Sequence, residues 1–173
     1  SASTMRRCAG PVPGGAWITT SRGLLRFDDA TDTFRTYRHD PSDASSLSHD
    51  ATIALLLDRD GRLWVGTNSG LNRYDASTSR FQHYTSADGL PSDVVYALLE
   101  DDDGLIWLST NRGLARLNPE TGSIRAYTLA DGVGNVEFNR NAATRGRDGT
   151  MYFGGDRGVT VFDPAQIRDN PYR

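Results

Sequence analysis

The chain has 173 residues, a formal net charge of −3, 37% apolar residues and 24% charged residues, the balance of one ordinary globular domain rather than a disordered chain. It has no basic stripe to follow a nucleic-acid backbone, and all nineteen basic residues are arginines, which excludes Schiff-base lysine chemistry and a P-loop lysine. Cys8 stands alone, so no intrachain disulfide is available, and the longest aliphatic run, Ile53–Leu57, is far short of a membrane span.

In chain order, residues 1–13 come first and match nothing later. They carry no apolar core of the kind a signal peptide needs. From Gly14 the chain repeats itself. GGAWITTSRGLLRFD (Gly14–Asp28) returns as GRLWVGTNSGLNRYD (Gly61–Asp75), as GLIWLSTNRGLARLN (Gly104–Asn118) and, more worn, as GTMYFGGDRGVTVFD (Gly149–Asp163). Trp17, Trp64, Trp107 and Tyr152 are 47, 43 and 45 residues apart, and Gly23, Gly70, Gly113 and Gly158 keep the same three spacings. So do Asp28, Asp75, Asn118 and Asp163. A fixed period of this size marks a repeat architecture.

The third unit spells out one repeat. VVYALLED (Val94–Asp101) is a buried apolar run, DDDG (Asp101–Gly104) an Asp-Gly turn, LIWLST (Leu105–Thr110) a second strand and NRG (Asn111–Gly113) a second turn. LARLN (Leu114–Asn118) alternates with period two, PETG (Pro119–Gly122) turns again, and SIRAYTL (Ser123–Leu129) is a fourth strand. No segment has a helical period with caps. Four short strands per repeat predict an all-β fold, a β-propeller fragment of about four blade positions built from four-stranded antiparallel sheets. The boundaries are 14–47 for a blade lacking its inner strand, 48–90 and 91–132 for two full blades, and 133–173 for a last blade lacking its outer strand. The recurring glycine is expected to supply a positive φ at a tight hairpin. The recurring aromatic is expected to pack each blade against the next.

LPSDVVYALLEDDDGLIWLSTNRGLARLNPETG (Leu90–Gly122) resembles the two-component regulator propeller repeat. Ser92–Leu114 matches almost throughout, with Ser109 where the repeat usually has the glycine that Gly66 keeps. EFNRNAATRGRDGTMYFGGDRGVTVFDPAQIRDNPY (Glu137–Tyr172) looks like that family's last blade. The resemblance implies the C-terminal blades of the periplasmic sensor region of hybrid histidine kinases and related regulators. It also implies a ring of about seven blades in the whole family member. A piece of about half that ring would have two open edges, each able to pair, so either self-association or a partner holding the remaining blades is expected.

Loops on one face of a rigid scaffold commonly carry binding. In a propeller, the loops entering the inner strands and the turns between second and third strands share a face near the channel. The candidate ligand-binding residues are therefore His49, Ser92, Asp93 and Glu137 from the loops, Arg112 and Arg157 from the turns, and Asn139, Arg140 and Asn141 from the last inner strand. The last three are read as taking positions that are aliphatic in Ala54–Leu57 and Ala97–Leu99. No catalytic residue and no metal site is expected: the acidic turns at Asp58–Gly61 and Asp101–Gly104 lack the further ligands of an EF-hand loop. Ser48, His49 and Asp50 are adjacent in sequence only.

The function expected is a non-catalytic sensor module of a two-component regulator, passing ligand occupancy to a downstream kinase or other output domain. The alternatives are a propeller enzyme (lyase or hydrolase) and a pure dimerisation scaffold. No cofactor is expected. The expected partners are a small molecule such as a saccharide, and the remaining blades or a second copy of the chain, with no nucleic acid and no direct membrane contact. The resemblance implies a periplasmic location.

Overall fold

Asp-Gly, Asn-Arg-Gly and Pro-Glu-Thr-Gly turns cut the chain into short extended segments that only pairing can stabilise. The computed structural model describes residues 7–12 and 14–167, and it folds these into four antiparallel sheets. The first sheet holds β1 (Arg7–Val12), β2 (Gly15–Thr20), β3 (Gly23–Asp28) and β4 (Thr33–Tyr37). The second holds β5 (Thr52–Leu57), β6 (Leu63–Thr67), β7 (Gly70–Asp75) and β8 (Arg80–Tyr84). The third holds β9 (Val95–Glu100), β10 (Ile106–Thr110), β11 (Gly113–Leu117) and β12 (Ile124–Tyr127). The fourth has three strands among the described residues, β13 (Phe138–Arg145), β14 (Met151–Gly155) and β15 (Gly158–Phe162). Each sheet is a simple meander in chain order, the form of a propeller blade.

One sequence expectation is corrected here. The first sheet does not lack its inner strand: β1 pairs antiparallel with β2, from Arg7 opposite Thr19 to Val12 opposite Gly15. The segment hides from pattern reading because Gly10 and Pro11 interrupt it, and the ladder shifts register between Ala9 and Val12, an irregularity that tolerates such residues. The rest of the N-terminal stretch, residues 1–6 and 13, and the end of the last-blade resemblance, 168–172, lie outside the described residues.

The recurring glycine does what its position requires. Gly70 has φ 111° and Gly113 φ 128°, and a Cβ on either would meet the carbonyl oxygen of Tyr84 or Tyr127 at 2.6 or 2.5 Å. The recurring tryptophan joins one sheet to the next. Trp17 and Leu24 pack with Leu63, Val65 and Phe81 of the second sheet. Trp64, Leu71 and Tyr84 pack with Ile106, Leu108 and Leu117 of the third. Trp107, Leu114 and Tyr127 pack with Phe138, Met151 and Phe153 of the fourth. The core is thus three like joints in a row rather than one central cluster. A blade alone cannot cover both faces, which is why the phrase recurs. Ion pairs clamp the second and third of these joints: Arg59 to Glu100 at 2.8 Å and Arg62 to Glu120 in the second, and Arg145 to Asp102 at 2.5 Å in the third. Among the described residues helix is confined to three single-turn segments, and none is long and apolar enough to cross a membrane.

Candidate functional site

The inner strands lie side by side, β1 by β5, β5 by β9 and β9 by β13, and β13 also approaches β5. The loop that enters each inner strand is latched to a turn between second and third strands. Gly23 N–H donates to the Asp50 carbonyl at 2.7 Å and Gly70 N–H to the Asp93 carbonyl at 2.6 Å, both across a joint. Within the fourth sheet, Asp156 N–H donates to the Glu137 carbonyl at 3.1 Å. These bonds gather the predicted loop and turn residues on one face, at the ends of the inner strands.

On that face the fourth inner strand differs from the others. In β5 and β9 the ladder slips by one residue, between Thr52 and Ala54 and between Val95 and Ala97. In β13 the pairing jumps from Phe138 opposite Gly155 to Ala143 opposite Phe153, five steps on one strand against two on the other. This corrects the sequence reading of Asn139, Arg140 and Asn141. They do not replace the aliphatic residues of Ala54–Leu57 and Ala97–Leu99; Ala142 and Ala143 do, since Ala142 lies 3.1 Å from where a Cβ of Gly154 would be. The three polar residues form an enlarged bulge, in which Asn141 takes φ 57°. Bulges re-aim side chains and concentrate beside functional sites.

The bulge turns Asn139 and Arg140 out to solvent. The Arg140 guanidinium sits 5.7 Å from the centre of the Tyr96 ring on β9, and it reaches Asn68 Oδ1, in the turn of the second sheet, at 3.4 Å. The cost of placing an arginine beside the axis is therefore met by water, an aromatic face and one amide. Glu137, Arg112 and Arg157 are also exposed, with Arg157 3.8 Å from its neighbour Asp156.

The remaining predicted residues hold the scaffold. Asp93 Oδ1 accepts from Ser86 N–H at 2.6 Å, Ser92 Oγ accepts from Val94 N–H at 3.4 Å, and His49 Nδ1 accepts from Ala51 N–H at 2.8 Å. Ser48 Oγ bonds Thr67 and Asn72, and Asp50 Oδ1 accepts from His39 N–H. These partners tie Ser48, His49 and Asp50 to different parts of the scaffold rather than into a relay. Buried Asn135 fixes the last turn, accepting from Arg157 N–H and donating to Thr160 Oγ1, both at 3.0 Å.

No group of three or more His, Cys, Asp or Glu among the described residues could hold a metal ion. The acidic turns have another use, which sequence reasoning missed. Asp58 Oδ2 accepts from the Trp64 indole at 2.9 Å and from Arg62 Nε at 2.7 Å, while Asp101 Oδ2 accepts from the Trp107 indole at 2.8 Å. Burial alone would raise the Asp58 pKa, but the bonds from Trp64 and Arg62 outweigh it and hold the carboxyl below the usual aspartate value. The readable signal is an aspartate six residues before the tryptophan, present in the second and third units. Also missed is a cavity of about 580 Å³ between the first two sheets, at the opposite end of the strands, with Trp17, Tyr37 and Tyr74 among its walls. Burial, then the 2.8 Å bond to the Tyr74 hydroxyl, push the Tyr37 phenol up to about 12.

Residues 46–69 and 89–112 match the family model described as two component regulator propeller. No curated protein matches the chain. Among solved structures, the chain is similar to the extracellular domain of BT4673 from B. thetaiotaomicron, described as a hybrid two component system, with TM-score 0.77 and 22% identity over 94% of this chain and 23% of that one. The extracellular domain of BT3049 from the same organism aligns with TM-score 0.67 and 22% identity over 99% of this chain and 30% of that one. A catalytically inactive virginiamycin B lyase from Staphylococcus aureus, solved with quinupristin, aligns with TM-score 0.67 and 18% identity over 95% of this chain and 57% of that one. The chain thus spans about a quarter of the length of the first of these proteins, and the likeness at such identities concerns the fold.

Proposed function

We propose, from the two stretches that match the two-component regulator propeller repeat, that the chain is a non-catalytic ligand-binding piece of such a regulator, working outside the cytoplasm and passing occupancy to an output domain. The observation that carries this reading is the repeat match. The similar extracellular domains of B. thetaiotaomicron two component systems support both the role and the location. The bulge of β13 supports the choice of face. It offers Arg140, Asn139 and Glu137 to solvent on strands held rigid by three joints, and rigid elements position a ligand better than free loops do. Exposed arginine and amide groups beside a half-buried tyrosine suit a polar ligand with a flat apolar side, and a saccharide is the class we assign.

The test is thermal unfolding with a panel of oligosaccharides at millimolar concentration. A ligand at a hundred times its dissociation constant adds about 2.7 kcal/mol of stability, a readily measured rise in melting temperature. Arg140→Ala removes that rise while leaving the ligand-free melting temperature nearly unchanged, because the side chain is exposed. A panel that moves nothing, or a rise that survives Arg140→Ala, sinks the assignment of this face. Turnover of any panel member would favour an enzyme.

A further inference from the structure

The three joints are built alike, but the first lacks two parts that the second has. In the second and third joints the indole N–H of Trp64 or Trp107 is held by the aspartate six residues earlier, Asp58 or Asp101. Arg62, two residues before Trp64, then spans the second joint by bonding Asp58, Asp60 and Glu120. The first sheet has neither group. Residues 13 and 14 alone separate β1 from β2, whereas residues 58–62 separate β5 from β6. Pro11 stands six residues before Trp17, and Gly15 two residues before it. Gly15, at φ 137°, lies so close to the Phe27 carbonyl that a side chain has no room there. Where the second joint has its aspartate and arginine, the first has the cavity of about 580 Å³. Trp17, in its wall, is only 7% exposed, and its indole N–H has no hydrogen-bond partner among the described residues. Both sheets that enclose this cavity belong to the chain, so it is not an effect of where the sheets end.

The walls select a kind of ligand. Trp17, Tyr37 and Tyr74 form a cluster with ring centroids 5.0 to 5.5 Å apart. Strand register sets Trp17, Arg26 and Arg35 in one row across the sheet. Arg26 lies 5.6 Å from the centre of the Trp17 ring and is tied to the carbonyl oxygens of Gly14, Ala16 and Phe27. Arg35 lies 4.9 Å from the centre of the Tyr37 ring, is exposed, reaches Ser79 Oγ at 3.4 Å and meets no carboxylate among the described residues. Asp28, the one acid among the described wall residues, is occupied by its own turn, accepting from Ala30 N–H, Thr31 N–H and Thr31 Oγ1. The cavity thus offers donors and positive charge beside aromatic faces, and its volume falls in the usual range for small-molecule sites, about 300–1,000 Å³. We propose that it is a second binding site, at the other end of the strands from Arg140, for a small aromatic carboxylate. The ligand ring packs on the aromatic cluster, its carboxylate pairs with Arg35, and the Trp17 indole N–H is left for a further acceptor on the ligand. A neutral sugar would leave the guanidinium without a counter-charge, which is why an anion is the class.

The unpaired indole supplies the test. Proton–nitrogen NMR of the full chain gives one indole N–H signal for each of the three tryptophans. Titration with benzoate, hydroxybenzoate and hydroxycinnamate at up to millimolar concentration moves the Trp17 signal saturably with at least one of them. The signals of Trp64 and Trp107, whose N–H groups are held by aspartates, stay in place. Trp17→Phe assigns the moving signal by its loss. Arg35→Gln, at an exposed position where folding is unaffected, raises the dissociation constant at least about tenfold. Replacing the carboxylate of the probe by its neutral amide does the same. The proposal is overturned if no probe moves the Trp17 signal, or if all three indole signals move together. It is also overturned if the Arg35→Gln chain, or the amide, binds as well as the original pair.

Discussion

The joint between the second and third sheets and the bare side of the fourth share one strand register and differ in what lies against it. Trp64 is fully buried, with its indole N–H held by Asp58 and Leu71 and Tyr84 beside it. Tyr152, at the same register, is partly exposed with no sheet against it among the described residues, and no aspartate stands six residues before it. The same phrase thus gives a core residue or a surface residue according to its neighbour. Stability in such a chain resides in the joints more than in the sheets, as in other stacked repeats.

Truncating the two aromatics separates these cases most strongly. Trp64→Ala is expected to cost about 3–5 kcal/mol, the range for emptying a large buried site. Tyr152→Ala is expected to cost less than about 1 kcal/mol. Denaturant unfolding monitored by circular dichroism reads both. Equal costs would mean that the tyrosine is covered in solution and that the contrast between joint and end is false.

The next effect belongs to the aspartate under the tryptophan. Asp58→Ala leaves the indole N–H and the Arg62 guanidinium without their shared acceptor and is expected to cost about 2–3 kcal/mol. Its acid dependence has a definite sign. The folded carboxyl titrates below its unfolded value of 3.8, so its stabilisation is complete above that pH and is lost as pH falls through the lower, folded value. Asp58→Asn is expected to flatten the acid side of the melting-temperature profile relative to the unsubstituted chain. A profile of unchanged slope would remove Asp58 from the account of acid stability.

The strands and their joints were legible because the aromatic and the glycine recur together at spacings of 47, 43 and 45 residues, and each has a single physical job in the fold. Two things were not legible. β1 (Arg7–Val12) was hidden because Gly10 and Pro11 break the apolar pattern, and pairing with β2 rather than local propensity makes it a strand. The bulge at Asn139–Asn141 was misread because alignment by position assumes that inner strands are of equal length, while β13 spends extra residues before its ladder resumes. The candidate face was therefore foreseen as a set of loops, but the residues that project from it are set by register, which no spacing in the sequence records.

The smallest effect sharpens the comparison at one position. Gly66 and Ser109 occupy the same place in successive sheets, opposite Leu71 and Leu114. A Cβ on Gly66 would lie 2.8 Å from Val95 Cγ1 and 3.0 Å from the Val95 carbonyl oxygen. The third sheet accommodates a full serine there at 1% exposure, and its Oγ has no hydrogen-bond partner among the described residues. Gly66→Ala is thus an overpacking change, expected to cost about 1–3 kcal/mol. Ser109→Ala removes a buried hydroxyl that gains nothing from its surroundings, and it is expected to be neutral or to stabilise by up to about 1 kcal/mol. The opposite signs matter more than the sizes. If both substitutions destabilise, the joint between the third and fourth sheets is as tight as the one before it, and the Ser109 hydroxyl has a partner in solution. If the signs differ, the joints loosen toward the fourth sheet, on the side where the bulge of β13 turns Asn139 and Arg140 out to solvent.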